Sequence, residues 1–360
     1  MRALFVCDGF QKHAAQLAEG LREEGHEVML LCRDQLFEFD NDLAARKHLM
    51  DWLHDRGIQV KELPARYRDV SAIPALTRIA RDVRAWCPEV VHAQQHADPR
   101  AFFIIRHLPL VLTIHDPVPH SGGWLGPAAV KQLRAVAARG WHRRAGALVV
   151  HGDGLATALR DTGYSGRVEV VPHGTRVLSS PAPAPATPTV GFFGALRAYK
   201  GLEVLAAAMS IVWERRPEVR LLVAGKGDCV PDIRDARMEL INEYIPDSAI
   251  LDTISRMSLL TLPYLQASQS GPGTRAVGLG VPTIVSRVGA LAELTLDDSY
   301  SVPPGDPGKL AEAILRHIDD GDAIRWRVLR ELGAPRSWRA VARRYVEIYR
   351  SVIATAMSVR

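Results

Sequence analysis

Residues 2–32 read RALFVCDGFQKHAAQLAEGLREEGHEVMLLC, and this stretch decides the fold. Its first six residues are an apolar run typical of a buried strand, and residues 26–32 are a second run of the same kind. Between them, residues 13–24 carry apolar side chains at helical spacing and stop before Gly25. A strand, a helix and another strand make a βαβ unit, which predicts a parallel sheet in an α/β protein.

The same alternation continues along the chain and restarts after a proline-rich segment. Residues 179–188 contain four prolines and predict an extended linker, although a long surface loop is the alternative interpretation. We therefore predict a first Rossmann-like domain at 1–178 and a second at 189–337. The further predicted strands are 57–63, 89–93, 109–115, 146–151, 189–194, 218–225, 259–263 and 282–286, and the further predicted helices are 75–86, 128–144 and 201–216.

The last segment, residues 338–360, has the clearest helical pattern in the sequence. Its apolar side chains step by three and four along one stripe: Trp338, Val341, Ala342, Tyr345, Ile348, Tyr349 and Val352. Such a stripe needs a surface to cover, and we expect the helix to pack back onto the first domain. A dimer interface is the other use of the stripe, so the protein is expected to be a monomer or a homodimer.

The composition argues against several classes of protein. The chain has 360 residues with 45 Lys plus Arg and 40 Asp plus Glu, giving a formal charge of +5. This charge is dilute and forms no basic stripe, so we expect no nucleic-acid partner. The sequence contains no run of about 18 apolar residues, so we expect no membrane span. The four cysteines are far apart and the N-terminus lacks signal-peptide features, which predicts buried, reduced thiols in a cytoplasmic protein.

One predicted helix leaves a weak membrane association open. Its basic residues are Lys131, Arg134, Arg139, Arg143 and Arg144, which could contact anionic lipid. A solvated helix face is the favoured interpretation.

The loop GALRAYKG at 194–201 places two cations where a helix begins. Arg197 and Lys200 are three residues apart. Positive charges at a helix N-terminus oppose the helix dipole, so they are poorly explained by helix stability alone. An anion bound between them would resolve this conflict, and two solvated charges are the alternative.

A second anion-binding loop is predicted before residues 271–280. Ser270 and Gly271 precede Pro272, which suits the first position of a helix. The backbone amides of Gly273 and Thr274 are expected to be free at the helix start and to point at a phosphate. Two such cradles in one domain suit a diphosphate.

The same residues also fit a weaker motif. Gly271, Gly273 and Ala276 match the dinucleotide fingerprint, and Glu293 follows at about the expected spacing, so Glu293 is kept as a candidate binding residue. The match lies late in the second domain rather than at a first βα turn, which disfavours a nicotinamide dehydrogenase.

In the first half, two loops follow predicted strands. Gly9 lets the backbone approach a ligand, or makes only a tight turn. The loop from His115 is rich in histidine and proline and could line a ligand site or be structural. A metal site built from His92, His96, His115 and His120 matches no familiar spacing, and we expect no metal.

The order of several short motifs resembles family 4 of the retaining glycosyltransferases. The motifs are GHEV (25–28), TIHD (113–116), VVPHG (170–174), GALRAYKG (194–201), LLVAGKGD (221–228), LPYLQASQSG (262–271) and GVPTIVSRVGALAE (280–293). The resemblance implies the GT-B fold, with two Rossmann-like domains facing a cleft and a C-terminal helix that crosses back to the first domain. It also implies retaining sugar transfer from a UDP- or GDP-type donor, without metal or cofactor, to a small-molecule or glycan acceptor.

The resemblance assigns roles to residues of this chain. Those implied at the donor diphosphate are Gly9, Arg197 and Lys200. Those implied near the base are Gly225, Tyr244 and Ile245. Those implied at the sugar phosphate are Ser270 and Gly271. His115 is implied beside the reacting carbon, where it would position the acceptor or stabilise positive charge through its carbonyl or its ring.

The chain departs from the family pattern at one point. The usual pair of glutamates would fall at Ala267 and Arg275, and neither residue is acidic. A non-catalytic relative that binds a nucleotide sugar, or an epimerase on the same fold, are therefore the alternatives.

Overall fold

The computed structural model describes residues 1–7, 9–33, 36–39, 41–64, 73–95, 99–117, 140–231, 233 and 235–358. The chain divides into two compact units. Unit 1 consists of Met1–His151, Ala156–Gly174 and Trp338–Arg360, and unit 2 consists of Gly152–Leu155 and Thr175–Ser337. Buried apolar residues form a separate core in each unit.

Unit 1 is built on a seven-stranded parallel sheet with the order β3-β2-β1-β4-β5-β6-β7. The strands are β1 (Arg2–Cys7), β2 (Glu27–Arg33), β3 (Gln59–Leu63), β4 (Val90–Gln94), β5 (Leu110–Thr113), β6 (Ala147–Val150) and β7 (Val168–Val170). In the register, Leu4 pairs with Met29 on one side and with Val91 on the other. The central strands are buried on both faces, which explains their continuous apolar runs.

The helices of the first half connect these strands. They are α1 (Gln11–Glu23), α2 (Leu43–Asp55), α3 (Ile73–Trp86), α4 (Pro99–Ile105) and α5 (Asp153–Asp161). Helix α1 ends before Gly25, whose φ of 79° suits glycine. Of the predicted helix 128–144, residues 140–144 are helical, whereas 128–139, with Lys131, Arg134 and Arg139, lie outside the described residues.

The final helix belongs to unit 1. Its apolar stripe is buried in the core of this unit, and Trp338 packs against that core. Tyr345 and Tyr349 anchor it by hydrogen bonds of 2.9 Å to the Thr113 hydroxyl and 2.6 Å to His92 Nδ1. A Cβ at Gly20 would collide with the carbonyl group of Trp338, so this glycine allows the close approach of α1 and the tail. The expected return of the tail helix to the first domain is confirmed.

Unit 2 has a six-stranded parallel sheet with the order β10-β9-β8-β11-β12-β13. The strands are β8 (Thr189–Phe193), β9 (Arg220–Ala224), β10 (Met238–Ile241), β11 (Leu259–Leu262), β12 (Thr283–Ser286) and β13 (Ser301–Val302). Within the unit this is the 3-2-1-4-5-6 order of Rossmann folds. The predicted fold class, two Rossmann-like βαβ domains with a returning tail helix, is confirmed.

The α-helices described in unit 2 are α6 (Leu202–Arg215), α7 (Asp247–Ser255), α8 (Gly271–Gly278), α9 (Pro307–His317) and α10 (Asp322–Arg327). The tail helix of unit 1 is α11 (Trp338–Ser358). Three strands were missed from the sequence, namely β7, β10 and β13. They are two to four residues long, and β10 is half-exposed at the edge of the sheet, so they show no continuous apolar run.

The proline-rich segment 179–188 is part of unit 2. Ala182 is buried, and its N–H donates to the Leu279 carbonyl oxygen at 2.8 Å. The side chain of Arg325 is fully buried and donates to the carbonyl oxygens of Ala182, Met257 and Ser258 at 3.0, 2.7 and 3.1 Å. These bonds fix the segment to α10 and to the residues before β11.

Replacing Arg325 tests this attachment. We expect Arg325→Met to lower the free energy of unfolding of unit 2 by about 2–4 kcal/mol, because three carbonyl oxygens lose their donors. Arg327→Met on the same helix is the matched control, since its exposed ion pair with Glu331 contributes at most about 1 kcal/mol. Urea unfolding measures both variants, and equal losses would contradict the role of Arg325.

Candidate functional site

The candidate phosphate-binding residues of unit 2 follow the two central strands of its sheet. Strands β8 and β11 are neighbours, but the chain leaves β8 toward β9 on one side and leaves β11 toward β12 on the other. This is the topological switch point, outside which open parallel sheets bind ligands. The loop 194–201 follows β8, and residues 263–270 follow β11.

Lys200 has an unusual environment for a lysine. Its Nζ lies 3.6 Å from the centre of the Tyr264 ring and 5.1 Å from that of Tyr199. Among the described residues it forms no ion pair with a carboxylate. Burial lowers the pKa of Lys200 to about 8. A half-buried ammonium without an acidic partner is unfavourable unless an anion binds there.

Helix α6 begins directly after this lysine. Its N-cap is Gly201, which has a φ of 70° and offers no side-chain hydrogen bond to the first helical amides. A Cβ at Gly201 would collide with the Pro263 carbonyl oxygen, so the glycine also allows the two loops to approach. Uncapped amides at the N-terminus of a 14-residue helix attract negative charge.

Arg197 is placed differently from the expectation. It precedes a 3₁₀ turn at Ala198–Lys200 rather than lying on the first turn of α6. Its side chain is 58% exposed and lies 3.4 Å from the Asp228 carboxylate. Such an exposed pair is weak, so the guanidinium is available to a ligand. Of these two cations, Lys200 is the one that lies next to the start of α6.

The loops after β8, β9 and β10 are joined through glycines. Gly225 has a φ of 143°, and a Cβ there would collide with the Gly194 carbonyl oxygen. Asn242 accepts from the Gly227 N–H and donates to the Gly227 carbonyl oxygen, both at 3.1 Å. The glycine at position 225 is therefore explained by backbone packing, and its expected contact with the base stays a prediction.

Tyr244 and Ile245 lie between β10 and α7. Tyr244 is 41% exposed, whereas Ile245 packs against the core of unit 2. Tyr244 therefore has surface to offer to a ligand, and the contact expected for both residues stays a prediction.

The expectation of free amides at the start of α8 is wrong. Ser270 caps this helix, and its hydroxyl accepts from the Gly273 N–H at 3.2 Å. The Thr274 N–H donates to the Ser270 carbonyl oxygen at 2.9 Å. Gly273 is a glycine because a Cβ would press on Leu262. At Gly271 a side chain would meet nothing within 4 Å, so this end of the helix is open.

The side chain of Glu293 has a local role. Its Oε1 accepts from the Asp153 N–H at 2.8 Å, and its backbone carbonyl accepts from Arg336 at 2.7 Å. Burial raises the pKa of Glu293, and the Asp153 bond opposes this. These contacts explain Glu293 without a ligand, and no dinucleotide role follows from them.

Arg275, at the position where the family pattern has a glutamate, is half-buried on α8. Its guanidinium lies 3.9 Å from the Asp247 carboxylate. Burial lowers the pKa of Arg275, and Asp247 and Tyr244 oppose this. Ala267 packs against the core of unit 2. The chain therefore presents a cation, and no carboxylate, at these two positions.

In unit 1 the switch point lies between β1 and β4. Gly9 is buried there, and Phe10 has a left-handed backbone with a φ of 58°. The first amides of α1, those of Gln11 and Lys12, donate to the Glu38 carboxylate at 2.8 and 3.0 Å. Glu38 thus occupies the helix start that follows Gly9, and no sequence pattern predicted this contact.

His115 follows β5 and is fully enclosed. Its Nε2 lies 2.7 Å from Gln94 Oε1, and its Nδ1 lies 3.2 Å from His151 Nε2. Phe10 stacks on the ring with centroids 3.7 Å apart. Both ring nitrogens therefore have protein partners, so the ring does not offer a free nitrogen to an acceptor. The role expected for the His115 carbonyl stays a prediction.

A cluster of imidazoles surrounds His13 on α1. The ring of His13 lies about 5 Å from those of His115, His151, His173 and Trp338. Burial, and then the neighbouring histidines, lower the pKa of His13 well below its usual value. His13 shares its helix face with Leu17 and Leu21, and that spacing could have shown its burial.

Neither a metal-binding cluster nor a membrane-spanning helix is found among the residues that the structure describes. The described ranges contain no group of three or more His, Cys, Asp or Glu side chains arranged to hold a metal ion, and His96 and His120 lie outside them. They also contain no helix with the length and apolar character needed to cross a membrane. Cys7 and Cys32 are buried as expected, Cys229 is half-buried, and the expectation of burial is wrong for exposed Cys87.

Comparison with known proteins gives matches to both halves and to the whole chain. Residues 7–177 match the family described as Glycosyltransferase Family 4, and residues 187–320 match Glycosyl transferases group 1. A phosphatidyl-myo-inositol mannosyltransferase from Mycolicibacterium smegmatis is 24% identical, covering 99% of this chain and 93% of its own length.

Two solved structures share the fold. A glycosyltransferase from Rickettsia africae has a TM-score of 0.69 at 14% identity, covering 98% of each chain. HepE from Anabaena, in complex with UDP and glucose, has a TM-score of 0.68 at 17% identity, covering 98% of this chain and all of its own. Because the two family matches follow one another along a pair of Rossmann-like units, this chain belongs to the family 4, group 1 glycosyltransferases with the GT-B fold.

Proposed function

We propose that the protein transfers a sugar from a nucleoside diphosphate donor of UDP or GDP type to a hydroxyl of a small-molecule or glycan acceptor, with retention at the anomeric carbon. The observation that carries this proposal is Lys200: a half-buried ammonium that has no acidic partner among the described residues, beside an uncapped helix start, at the switch point of unit 2. A diphosphate supplies the missing negative charge.

Known relatives support the donor class. The similar M. smegmatis protein is named as a mannosyltransferase, and the structurally similar HepE binds UDP and glucose. The Ser270-capped α8 offers only its open end at Gly271, so the cations contribute most of the diphosphate binding. The contacts expected of Gly225, Tyr244 and Ile245 with the base, and of Gly9 with the diphosphate, stay predictions.

The mechanism follows from where charge develops. As the bond from the anomeric carbon to the donor phosphate stretches, negative charge grows on the leaving diphosphate. Lys200 and Arg197 stabilise that charge, which lowers the barrier because the interaction strengthens in the transition state. The departing phosphate oxygen takes the proton of the acceptor hydroxyl on the same face of the sugar, so no separate base is needed.

Ligand-induced stabilisation tests the donor site first. At 100 times its dissociation constant, one nucleoside diphosphate among UDP, GDP, TDP and ADP should stabilise unit 2 by about 2.7 kcal/mol, or roughly 5–10 °C in its melting temperature. The matching nucleotide sugar is then incubated with an acceptor panel, and NMR of the product identifies the anomer.

Each outcome separates the alternatives. A retained anomer supports the proposal, and an inverted anomer contradicts the retaining mechanism. Binding without transfer to any acceptor favours the non-catalytic alternative, and a changed sugar without acceptor favours an epimerase. No stabilisation by any of the four diphosphates would reject the donor site.

A further inference from the structure

Tyr264 joins two parts of the proposed donor site. It follows β11 directly, and its side chain has no exposed surface. The face of its ring contacts the ammonium of Lys200, and its hydroxyl lies beside the hydroxyl of Ser270, the cap of α8.

The ring holds the ammonium of Lys200. The distance from Nζ to the ring centre is 3.6 Å, well within the range of a cation–π interaction. The neighbouring Tyr199 ring is farther away, at 5.1 Å. A carboxylate at this place would neutralise the lysine and weaken its attraction for an anion. An aromatic face orients the ammonium and leaves its full charge for a ligand.

The hydroxyl of Tyr264 reaches the start of α8. Its oxygen lies 3.3 Å from the Ser270 hydroxyl oxygen, which also accepts from the Gly273 N–H. The Ser270 carbonyl oxygen accepts from both the N–H and the hydroxyl of Thr274. Burial raises the pKa of Tyr264, so the phenol keeps its hydrogen. One rigid side chain therefore fixes the position of the cation relative to the open end of α8.

We propose that Tyr264 is a positioning residue that sets the spacing between Lys200 and the start of α8 to suit two linked phosphoryl groups. This inference rests on the proposed donor site. It adds a specific requirement: the ring controls the charge of Lys200, and the hydroxyl controls the loop that ends in Ser270 and Gly271.

Two substitutions separate these two contributions. Tyr264→Phe keeps the ring and removes the hydroxyl, whereas Tyr264→Leu removes both. The chain has only seven lysines, so ¹³C reductive methylation gives few NMR signals, and comparison with Lys200→Arg identifies the signal of Lys200. Its titration is measured without any ligand.

The ring should matter for the titration. In Tyr264→Leu, the midpoint of Lys200 should move down by about 0.5–1.5 pH units, because the cation–π contact that favours the ammonium is lost. In Tyr264→Phe, the midpoint should stay at the wild-type value. Tyr199→Leu is the matched control, and its shift should be smaller than that of Tyr264→Leu since its ring is farther from Nζ.

The hydroxyl should matter for affinity. Calorimetry with the diphosphate that stabilises the wild type should show a dissociation constant about 2–10-fold weaker for Tyr264→Phe at every pH, the range of one hydrogen bond. Tyr264→Leu should be weaker than Tyr264→Phe, and the difference should grow as the pH rises toward 8. Circular dichroism checks folding, and Tyr264→Met replaces the Leu variant if that one does not fold.

The outcomes distinguish this inference from the proposed function. If the wild type binds a diphosphate but the Lys200 midpoint is the same in all variants, the positioning role of the ring is wrong and the donor site stands. If Tyr264→Phe binds as tightly as the wild type, the role of the hydroxyl is wrong. If the wild type binds none of the four diphosphates, the proposed function fails, and the positioning role fails with it.

Discussion

At pH 5, unit 1 is expected to be several kcal/mol less stable than at pH 7, whereas unit 2 should change far less. Three buried histidines of unit 1 cause this difference. Burial lowers the pKa of His92 to about 3 and that of His151 to about 4, and it lowers the pKa of His13 well below its usual value. They stay neutral in the folded unit, but each takes up a proton below about pH 6.5 when the unit unfolds.

The direction follows from proton binding. The unfolded chain binds more protons than the folded unit between about pH 6.5 and pH 4, so the free energy of unfolding falls as the pH falls through this range. Each histidine contributes about 1.4 kcal/mol per pH unit, or about 4 kcal/mol per unit for the three. The groups that face His13 are His115, His151, His173 and Trp338, and none of them offers a negative charge.

Hydrogen exchange at pH 7, 6 and 5, corrected for intrinsic rates, measures the opening free energy of peptides from each unit. Of the eleven histidines that the structure describes, ten lie in unit 1 and His317 lies in unit 2. His13→Gln should reduce the pH slope of unit 1 by about 1.4 kcal/mol per unit. His48→Gln, on the exposed side of α2, is the control and should leave the slope unchanged. Equal pH slopes in the two units would contradict the explanation.

Replacing Lys200 should remove most of the activity. We expect Lys200→Met to lower turnover by about 10²-fold or more, on the scale of losing one donor to a developing negative charge. The same variant should be at least as stable as the wild type without ligand, because a half-buried ammonium that has no acidic partner among the described residues is replaced by an apolar side chain. Arg197→Ala should also lower turnover by about 10²-fold.

Steady-state kinetics measures the turnover of each variant, and urea unfolding measures its stability. Lys309→Met is the matched control, because this lysine of unit 2 is exposed and paired with Glu312. It should keep normal turnover. Donor affinity in the wild type should fall as the pH rises above about 8, since the free lysine loses its proton there and the anion favours the charged form. A Lys200→Met variant that turns over normally would reject the role of this residue.

Much of the fold could be predicted because it depends on local patterns in the sequence. The apolar runs of β1, β2 and β8 and the helical spacing of α11 depend on residues close together in the chain. Short strands such as β10 and β13 depend instead on their neighbours in the sheet, and the sequence did not show them. The importance of Lys200 was predicted from its place after a strand and before a helix.

The amino-acid sequence by itself determined the fold class, the order of its elements, the family resemblance and the cationic loop after β8. Tertiary structure alone decided which side chains are available. It gave the amides of Gly273 and Thr274 partners, enclosed His115, and placed Tyr264 against Lys200. The physical reason is that periodicity records which face of an element is buried, whereas contacts between residues distant in the chain depend on how the elements pack in three dimensions.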